Sequence, residues 1–407
     1  MPVSFFVLAE SAHSNRSPPS SRAPFAARIA RVDKHLLGGL TAREFLRRHW
    51  QKAPLLVRQA VPGFAGLLDF PAMAAAAQRD DCESRLVLRE GRNWSVEQGP
   101  FPASRLRRLP ARGWTLLVQG VEQFSDEARR LLARFDFIPT SRLDDLMVSF
   151  APDGGGVGPH FDSYDVFLLQ GPGTRRWRVS RQRDLALREN APLKILRRFR
   201  AQGEALLSPG DMLYLPPQYA HEGVAVGDCY TYSIGFRAPS HRELASEFLM
   251  FLEERLRLPG RYADPDLLPQ EGPARIAPAT VERIRSALQG IRWNRADIVA
   301  FIGSYLTEPK AQVRFSPPGR PLATAAFARA ARRDGVRLVP ASQMLYADSH
   351  VFINGESVPM PKSAGVLRRL ADSRHASAPA MDRDRELAGH LYQWYRAGYI
   401  CLDARSR

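Results

Sequence analysis

His160-Phe-Asp162 is the pair of side chains in this chain best placed to do metal chemistry. It follows a glycine-rich run, Gly154-Gly-Gly-Val-Gly-Pro, and opens onto the apolar segment Val166-Phe-Leu-Leu. Side chains two apart in a strand share a face, so an extended His160–Asp162 segment aims both groups at one interior. A second histidine, His221, comes 59 residues after Asp162, at the end of Pro209-Gly-Asp-Met-Leu-Tyr-Leu-Pro-Pro-Gln-Tyr-Ala. Two neutral imidazoles and one carboxylate are the donor set that holds non-haem Fe(II) on one face, leaving positions open for a bidentate co-substrate and for O₂. A His-x-Asp pair alone is common in any chain. The tight turn, strand and rigid Pro-Pro that aim His221 are what lift this one above a polar pair in a turn.

The co-substrate such a centre implies is 2-oxoglutarate, whose far carboxylate needs a buried cation. A guanidinium grips a carboxylate through two parallel hydrogen bonds. Arg175, Arg176 and Arg178 compete for that place in Thr174-Arg-Arg-Trp-Arg. Alternation puts Arg175 and Trp177 on one face and Arg176 and Arg178 on the other. Arg175 is preferred because it follows His160 by 15 residues, across one hairpin; its two neighbours read as a solvated outer face. The hydroxyls of Thr231 and Ser233, on the run Tyr230–Ile234, are both candidates to touch the co-substrate.

These residues need a scaffold of strands. Asp144–Phe150 reads as a strand entering the glycine turn, and strands with intervening turns recur to about Phe236, the pattern of an antiparallel barrel or sandwich. Before it, Thr41 and Glu44 form a capping-box signature for a short helix to Trp50. Lys52–Arg58 reads as an edge strand, Asp69–Arg79 as a helix, and Arg85–Arg89 with Asn93–Glu97 as a hairpin. Trp114–Gly120 reads as a buried strand and Glu127–Phe135 as a helix. Past Arg237 the spacing becomes helical at Arg242–Leu256, Thr280–Ile291 and Asn294–Leu306. A Pro-rich linker from Phe315 leads to a last unit of helices and a hairpin, compatible with a winged helix. The organisation expected is a disordered extension over 1–34, a catalytic β domain over 35–240, a helical region over 241–314 and a winged-helix-like domain over 315–407.

Composition sets wider bounds. At 407 residues, 44% hydrophobic and 25% charged, the chain is of ordinary globular type with room for two or three domains. No apolar run is long enough for a membrane span, and the N-terminus makes a poor signal peptide. Three scattered cysteines, Cys82, Cys229 and Cys401, predict a reducing, cytoplasmic setting without disulfides. The net charge of +16 fits a basic surface that meets RNA, ribosomes or DNA, or equally arginines scattered along the chain rather than blocked.

The runs Gly-Gly-Gly-Val-Gly-Pro-His160-x-Asp162-x-Tyr164-Asp-Val-Phe, Arg175-Arg-Trp-Arg-Val, Pro-Gly-Asp-x-Leu-Tyr-x-Pro-Pro-x-x-x-His221-Glu-Gly and Tyr-Ser233-Ile-Gly-Phe-Arg-Ala-Pro resemble the JmjC ribosomal oxygenases, most of all their bacterial arginine-hydroxylating branch. The likeness is dense from about Trp50 to Pro239. It implies a double-stranded β-helix (a cupin-like JmjC barrel), a helical dimerisation region giving a homodimer, and a winged helix. It implies Fe(II) on His160, Asp162 and His221, 2-oxoglutarate on Arg175, O₂ as oxidant, and hydroxylation at C3 of an arginine in a large-subunit ribosomal protein. The positions matching that branch's substrate site are Asp145, Met147 and Tyr164, a carboxylate for the guanidinium with thioether and aromatic faces beside it. Most JmjC demethylases carry a lysine where this chain has Arg175, which tells against a lysine demethylase. Rival readings are a histidine or asparagine hydroxylase and a cupin-like binding module without turnover. A nucleic-acid role for the last unit ranks lower, because Arg368 and Arg369 are not part of a basic run.

Overall fold

The computed structural model describes residues 8–9, 35–91 and 93–403. Twelve strands build the first domain: β1 (Leu8–Ala9), β2 (Leu55–Val57), β3 (Ser84–Glu90), β4 (Asn93–Gln98), β5 (Trp114–Val118), β6 (Leu143–Ala151), β7 (Asp165–Gln170), β8 (Thr174–Ser180), β9 (Gly203–Leu207), β10 (Met212–Leu215), β11 (Ala220–Val226) and β12 (Cys229–Phe236). A nine-stranded sheet runs β1-β2-β10-β7-β12-β6-β5-β3-β4, and a three-stranded sheet runs β11-β8-β9. Between them the inward faces interleave Val166 and Leu168 of β7 with Trp177, Val179, Leu207 and Leu213. This is the double-stranded β-helix. The hairpin β3–β4 forms in the register expected from its alternation, with Val87 opposite Val96.

The larger sheet is apolar on its outer face as well, and short helices cover it. Phe45, Met73, Leu131 and Leu132 pack there against Phe150, Tyr214, Tyr232 and Phe236. Helix Ala42–Arg48 starts with the capping box: Thr41 accepts from the Glu44 amide while the Glu44 carboxylate accepts from Thr41. Asp69 caps the helix Phe70–Ala76, its carboxylate accepting from the Ala72 amide. The N-terminal extension is not wholly without structure, because Leu8 and Ala9 add a parallel edge strand beside Leu56 and Val57. The rest of the extension lies outside the described residues.

Helices His241–Glu253, Pro278–Leu288 and Arg295–Thr307 follow. Phe301 of the third packs on Phe248 of the first, and its Gly303 leaves no space between its backbone and the Phe352 ring. The third helix therefore belongs as much to the last unit as to the helical region. That unit has its own core, with Phe327, Leu370, Leu391 and Trp394 fully buried among three helices and two small sheets. It joins the first domain through Arg129, whose guanidinium donates to the Pro340 carbonyl, and Arg374 of the last unit braces the same loop by donating to Val339 and Ser342. Burial lowers the pKa of both guanidinium groups, and Glu122 beside Arg129 partly offsets this.

Candidate metal centre and substrate mouth

His221 lies on β11 opposite Val179 of β8. His160 reaches it by a single bridge, exchanging backbone hydrogen bonds of 2.9 and 2.8 Å with His221 across the barrel end. The regular strand expected over 160–164 is absent. His160 is a one-residue bridge and Asp162 and Tyr164 lie in the turn before β7, so strand alternation is not what makes His160 and Asp162 converge. A pinned backbone does so instead. The Gln218 amide donates to the Asp162 carbonyl at 2.7 Å, with Gln218 in the left-handed region at φ 64°. The glycine turn before His160 is equally tight: a Cβ on Gly156 would lie 2.4 Å from the Gly223 carbonyl oxygen, so a side chain there would push β11 away.

The three donors meet. One ligand atom from each of His160, Asp162 and His221 lies within 4.8 Å of the others. Asp162 Oδ2 is 3.6 Å from His221 Nε2, and Asp162 Oδ1 is 4.0 Å from His160 Nε2. Each imidazole turns Nδ1 to a carbonyl two residues earlier, Gly158 and Tyr219 respectively, both at 2.9 Å. A carbonyl only accepts, so Nδ1 carries the proton and Nε2 presents its lone pair to the shared point. Burial, and then His160, hold the His221 pKa down at about 4 against the pull of Asp162, which keeps this ring neutral at ordinary pH. Among the described residues this is the only group of three such side chains that could hold an ion.

Behind the centre, Arg175 and Trp177 point inward, buried, while Arg176 is exposed and Arg178 pairs with Glu222 on the outside. Arg175 Nε donates to Cys229 Sγ at 3.5 Å, but its Nη2 has no partner. Thr231, two positions along the same inward face of β12, has an unpartnered buried hydroxyl. Ser233 follows on that face opposite Met147. A buried guanidinium with a free Nη2 is costly unless a carboxylate joins it. These residues fit the far end of a dicarboxylate.

At the mouth a cavity of about 740 Å³ runs from Asp162, Ser163 and Tyr164 to Arg237, Glu308 and Lys310. Asp145 and Met147 occupy alternate positions on β6, and the space over Gly235 is bordered by Asp145 Oδ1 at 3.7 Å and the Tyr164 ring at 3.8 Å. Asp145 is 6% exposed and its carboxyl pKa is raised, first by burial, while Lys310 pulls it down. Lys310 Nζ lies 3.3 Å from both Asp144 and Asp145, and Gln119 donates to Asp145 at 3.3 Å. The sequence reading overlooked Lys310, Gln119 and the mouth-lining Lys194. One signal was available: the chain has only five lysines among its 58 basic residues, and two of the five line this cavity.

A β-helix with two histidines and an aspartate gathered at one end is the architecture of the JmjC oxygenases, and the JmjC domain family matches residues 130–244. The ROXA-like winged helix family matches residues 290–400, beginning ahead of helix Arg295–Thr307. The chain is 34% identical over 322 residues to the ribosomal protein uL16 3-hydroxylase of Escherichia coli K12, covering 78% of this chain and 85% of that protein. It is 42% identical over 217 residues to a probable ribosomal oxygenase of Haemophilus influenzae, covering 52% and 53% of the two. The solved structure of the E. coli ribosomal oxygenase YcfD in complex with cobalt and 2-oxoglutarate superposes with a TM-score of 0.77 at 31% identity, covering 90% of this chain and 99% of that one. The chain belongs to the JmjC ribosomal oxygenase family.

Proposed function

We propose that the chain is a non-haem Fe(II), 2-oxoglutarate-dependent hydroxylase acting on C3 of an arginine in ribosomal protein uL16. The observation that carries this reading is the meeting of His160, Asp162 and His221 at the end of a barrel that also buries an unsatisfied Arg175. His160, Asp162 and His221 would hold the iron, Arg175 the far carboxylate of 2-oxoglutarate, with Thr231 or Ser233 beside it. When bound, iron, 2-oxoglutarate and O₂ supply the oxidation, one oxygen atom entering the substrate C–H bond and the other ending in succinate as CO₂ leaves.

The chain's own residues position the arginine. Asp145 takes the guanidinium by replacing Lys310 with the incoming cation, while Met147 and Tyr164 flank its stem and plane. Gly235 opposite them leaves the width for it. The barrel interior excludes water from the far side of the centre, where Leu168, Trp177 and Leu207 are buried.

Thirteen of the eighteen exposed large apolar side chains among the described residues lie between Leu249 and Ile302. Two copies joined through this helical region as a homodimer would cover them, and molar mass by light scattering at twice the chain mass tests it. A ribosomal protein as substrate supports a cytoplasmic location; separately, no helix among the described residues is long and apolar enough to cross a membrane.

Incubation with uL16, Fe(II) and 2-oxoglutarate tests the activity. The expected product carries one added oxygen, about 16 Da, on an arginine, with one succinate released per event. Addition to a histidine or asparagine would replace the arginine assignment. Binding of 2-oxoglutarate without succinate would leave a binding module.

A further inference from the structure

The connection between β8 and β9, residues 181–202, is unusual in both charge and place. It carries seven cations (Arg181, Arg183, Arg188, Lys194, Arg197, Arg198 and Arg200) against two carboxylates, Asp184 and Glu189. Nearly a third of the chain's excess charge of +16 thus falls in about a twentieth of its length. All seven cations are exposed. The segment that carries them is nevertheless built. Leu187 bridges Leu196, Ile195 and Leu196 are buried, and the Leu196 amide donates to the carbonyl of Pro159, one residue before His160. Gln182 ties the two legs together, donating to the Arg198 carbonyl at 2.9 Å and accepting from the Arg200 amide at 3.0 Å.

This clamp holds Arg181 and Arg183 on one leg beside Arg198 and Arg200 on the other. Four exposed guanidinium groups therefore share one short stretch of surface. A cavity of about 620 Å³ opens beside it, lined by Arg181, Gln182, Arg183, Leu185 and Tyr219. Its back wall is the loop that orients the metal centre, since the Tyr219 carbonyl accepts from His221 and Gln218 donates to Asp162. On the other side Lys194 lines the mouth cavity with Asp162 and Tyr164.

We propose that this segment is a phosphate-backbone docking surface for RNA, placed so that a basic protein still bound to its RNA can present a side chain to the mouth. A cluster of always-charged, forked donors on an ordered scaffold suits a repeating anionic polymer better than a single carboxylate. Six of the seven cations are arginine, whose planar fork also stacks on bases, which an acidic protein surface does not offer. This docking surface would concentrate on one face an RNA contact that the total charge of +16 leaves unplaced. It rests on the proposed ribosomal role only for the identity of the RNA, not for its binding.

The test uses the full chain and a labelled RNA hairpin, with anisotropy read over a salt series. Wild type should bind with a steep salt dependence. R181S/R183S/R198S/R200S should lose roughly tenfold or more in affinity at moderate salt and flatten the log–log slope by about three to four, roughly 0.7–0.9 for each of four lost phosphate contacts. A control with equal charge loss elsewhere on the chain, R107S/R108S/R329S/R333S, all exposed, should keep most of both. Peptide turnover by the first variant should stay within about twofold of wild type, because none of its four residues lines the mouth. Equal loss in the control, or none in the first variant, overturns the proposal. So does polyglutamate displacing the RNA as efficiently as unlabelled RNA does, which would assign the surface to an acidic protein. If wild type binds RNA through this segment yet hydroxylates nothing, the docking surface stands and the proposed reaction fails.

Discussion

The two ends of the reaction chamber are held by different kinds of bond. At the metal end both imidazoles are fixed by main chain: His160 on Gly158 and His221 on Tyr219, each at 2.9 Å, with a backbone bridge between the two histidines. At the mouth the fixing groups are long side chains from distant parts of the chain. Lys310 and Gln119 meet on Asp145, and Lys310 and Arg237 on Asp144. A backbone hydrogen bond two residues away changes only if the strand moves. A lysine on four methylenes can leave its carboxylate while the fold stays intact. The chain keeps rigid what must hold one ion throughout a reaction, and keeps exchangeable what must accept and release a cationic partner.

The sharpest way to break this contrast is at the rigid end. Asp162→Ala or His221→Ala should remove metal-dependent succinate release altogether, more than about a hundredfold, since loss of even an outer partner of a ligand costs tens of fold. Metal titration by calorimetry checks that binding, rather than folding, is lost. Chelation of the wild type should give the same loss, reversed by added Fe(II). Arg175→Met comes next. It leaves a buried carboxylate without its cation, about 3 kcal/mol, so KM for 2-oxoglutarate should rise roughly a hundredfold, whereas Arg175→Lys should recover part of that. An Arg175→Met enzyme with unchanged KM would mean that another group holds the co-substrate. Gly223→Ala probes the wall itself. A Cβ there would lie 2.7 Å from the Trp177 ring, which lies 5.9 Å from His221 between ring centres. Overpacking of this kind costs about 1–3 kcal/mol, visible as a lower melting temperature.

The same division decides what could be read from sequence. Donor types, the Pro-Pro that aims His221, and the inward phase of Arg175 on β8 are local properties, written in spacing and alternation, and the barrel follows from strand and turn signals of the same range. Asp162 meets the two histidines for a reason alternation does not supply: it occupies a turn rather than a strand, and its backbone is held by Gln218, 56 residues later. Lys310 is 165 residues from Asp145, beyond the reach of any periodicity. The helix Arg295–Thr307 was assigned to the helical region, yet Gly303 meets Phe352 and Thr307 accepts from the Gly355 amide at 3.0 Å. Its pattern of apolar residues is nearly all-round rather than one-sided, because it is covered from two directions. A pattern can mark a helix as buried without naming its neighbour.

The gentlest test is at the exchangeable end. Lys310→Met frees Asp145 of a competing cation, so at neutral pH and above the KM for an arginine substrate should fall a few-fold, in line with about 1 kcal/mol for a half-solvated ion pair. The substrate guanidinium stays charged throughout, so only the carboxyl titrates. Burial already raises the Asp145 pKa, and Lys310 opposes that rise; without the lysine the pKa climbs further. Because substrate needs the ionised carboxylate, KM rises as pH falls through that pKa, and in the variant the rise begins at higher pH. The two KM curves should therefore cross, with the variant better at high pH and worse at low pH. A variant curve parallel to wild type at every pH would show that Lys310 neither competes with substrate nor holds Asp145 charged, and that the mouth is as fixed as the wall.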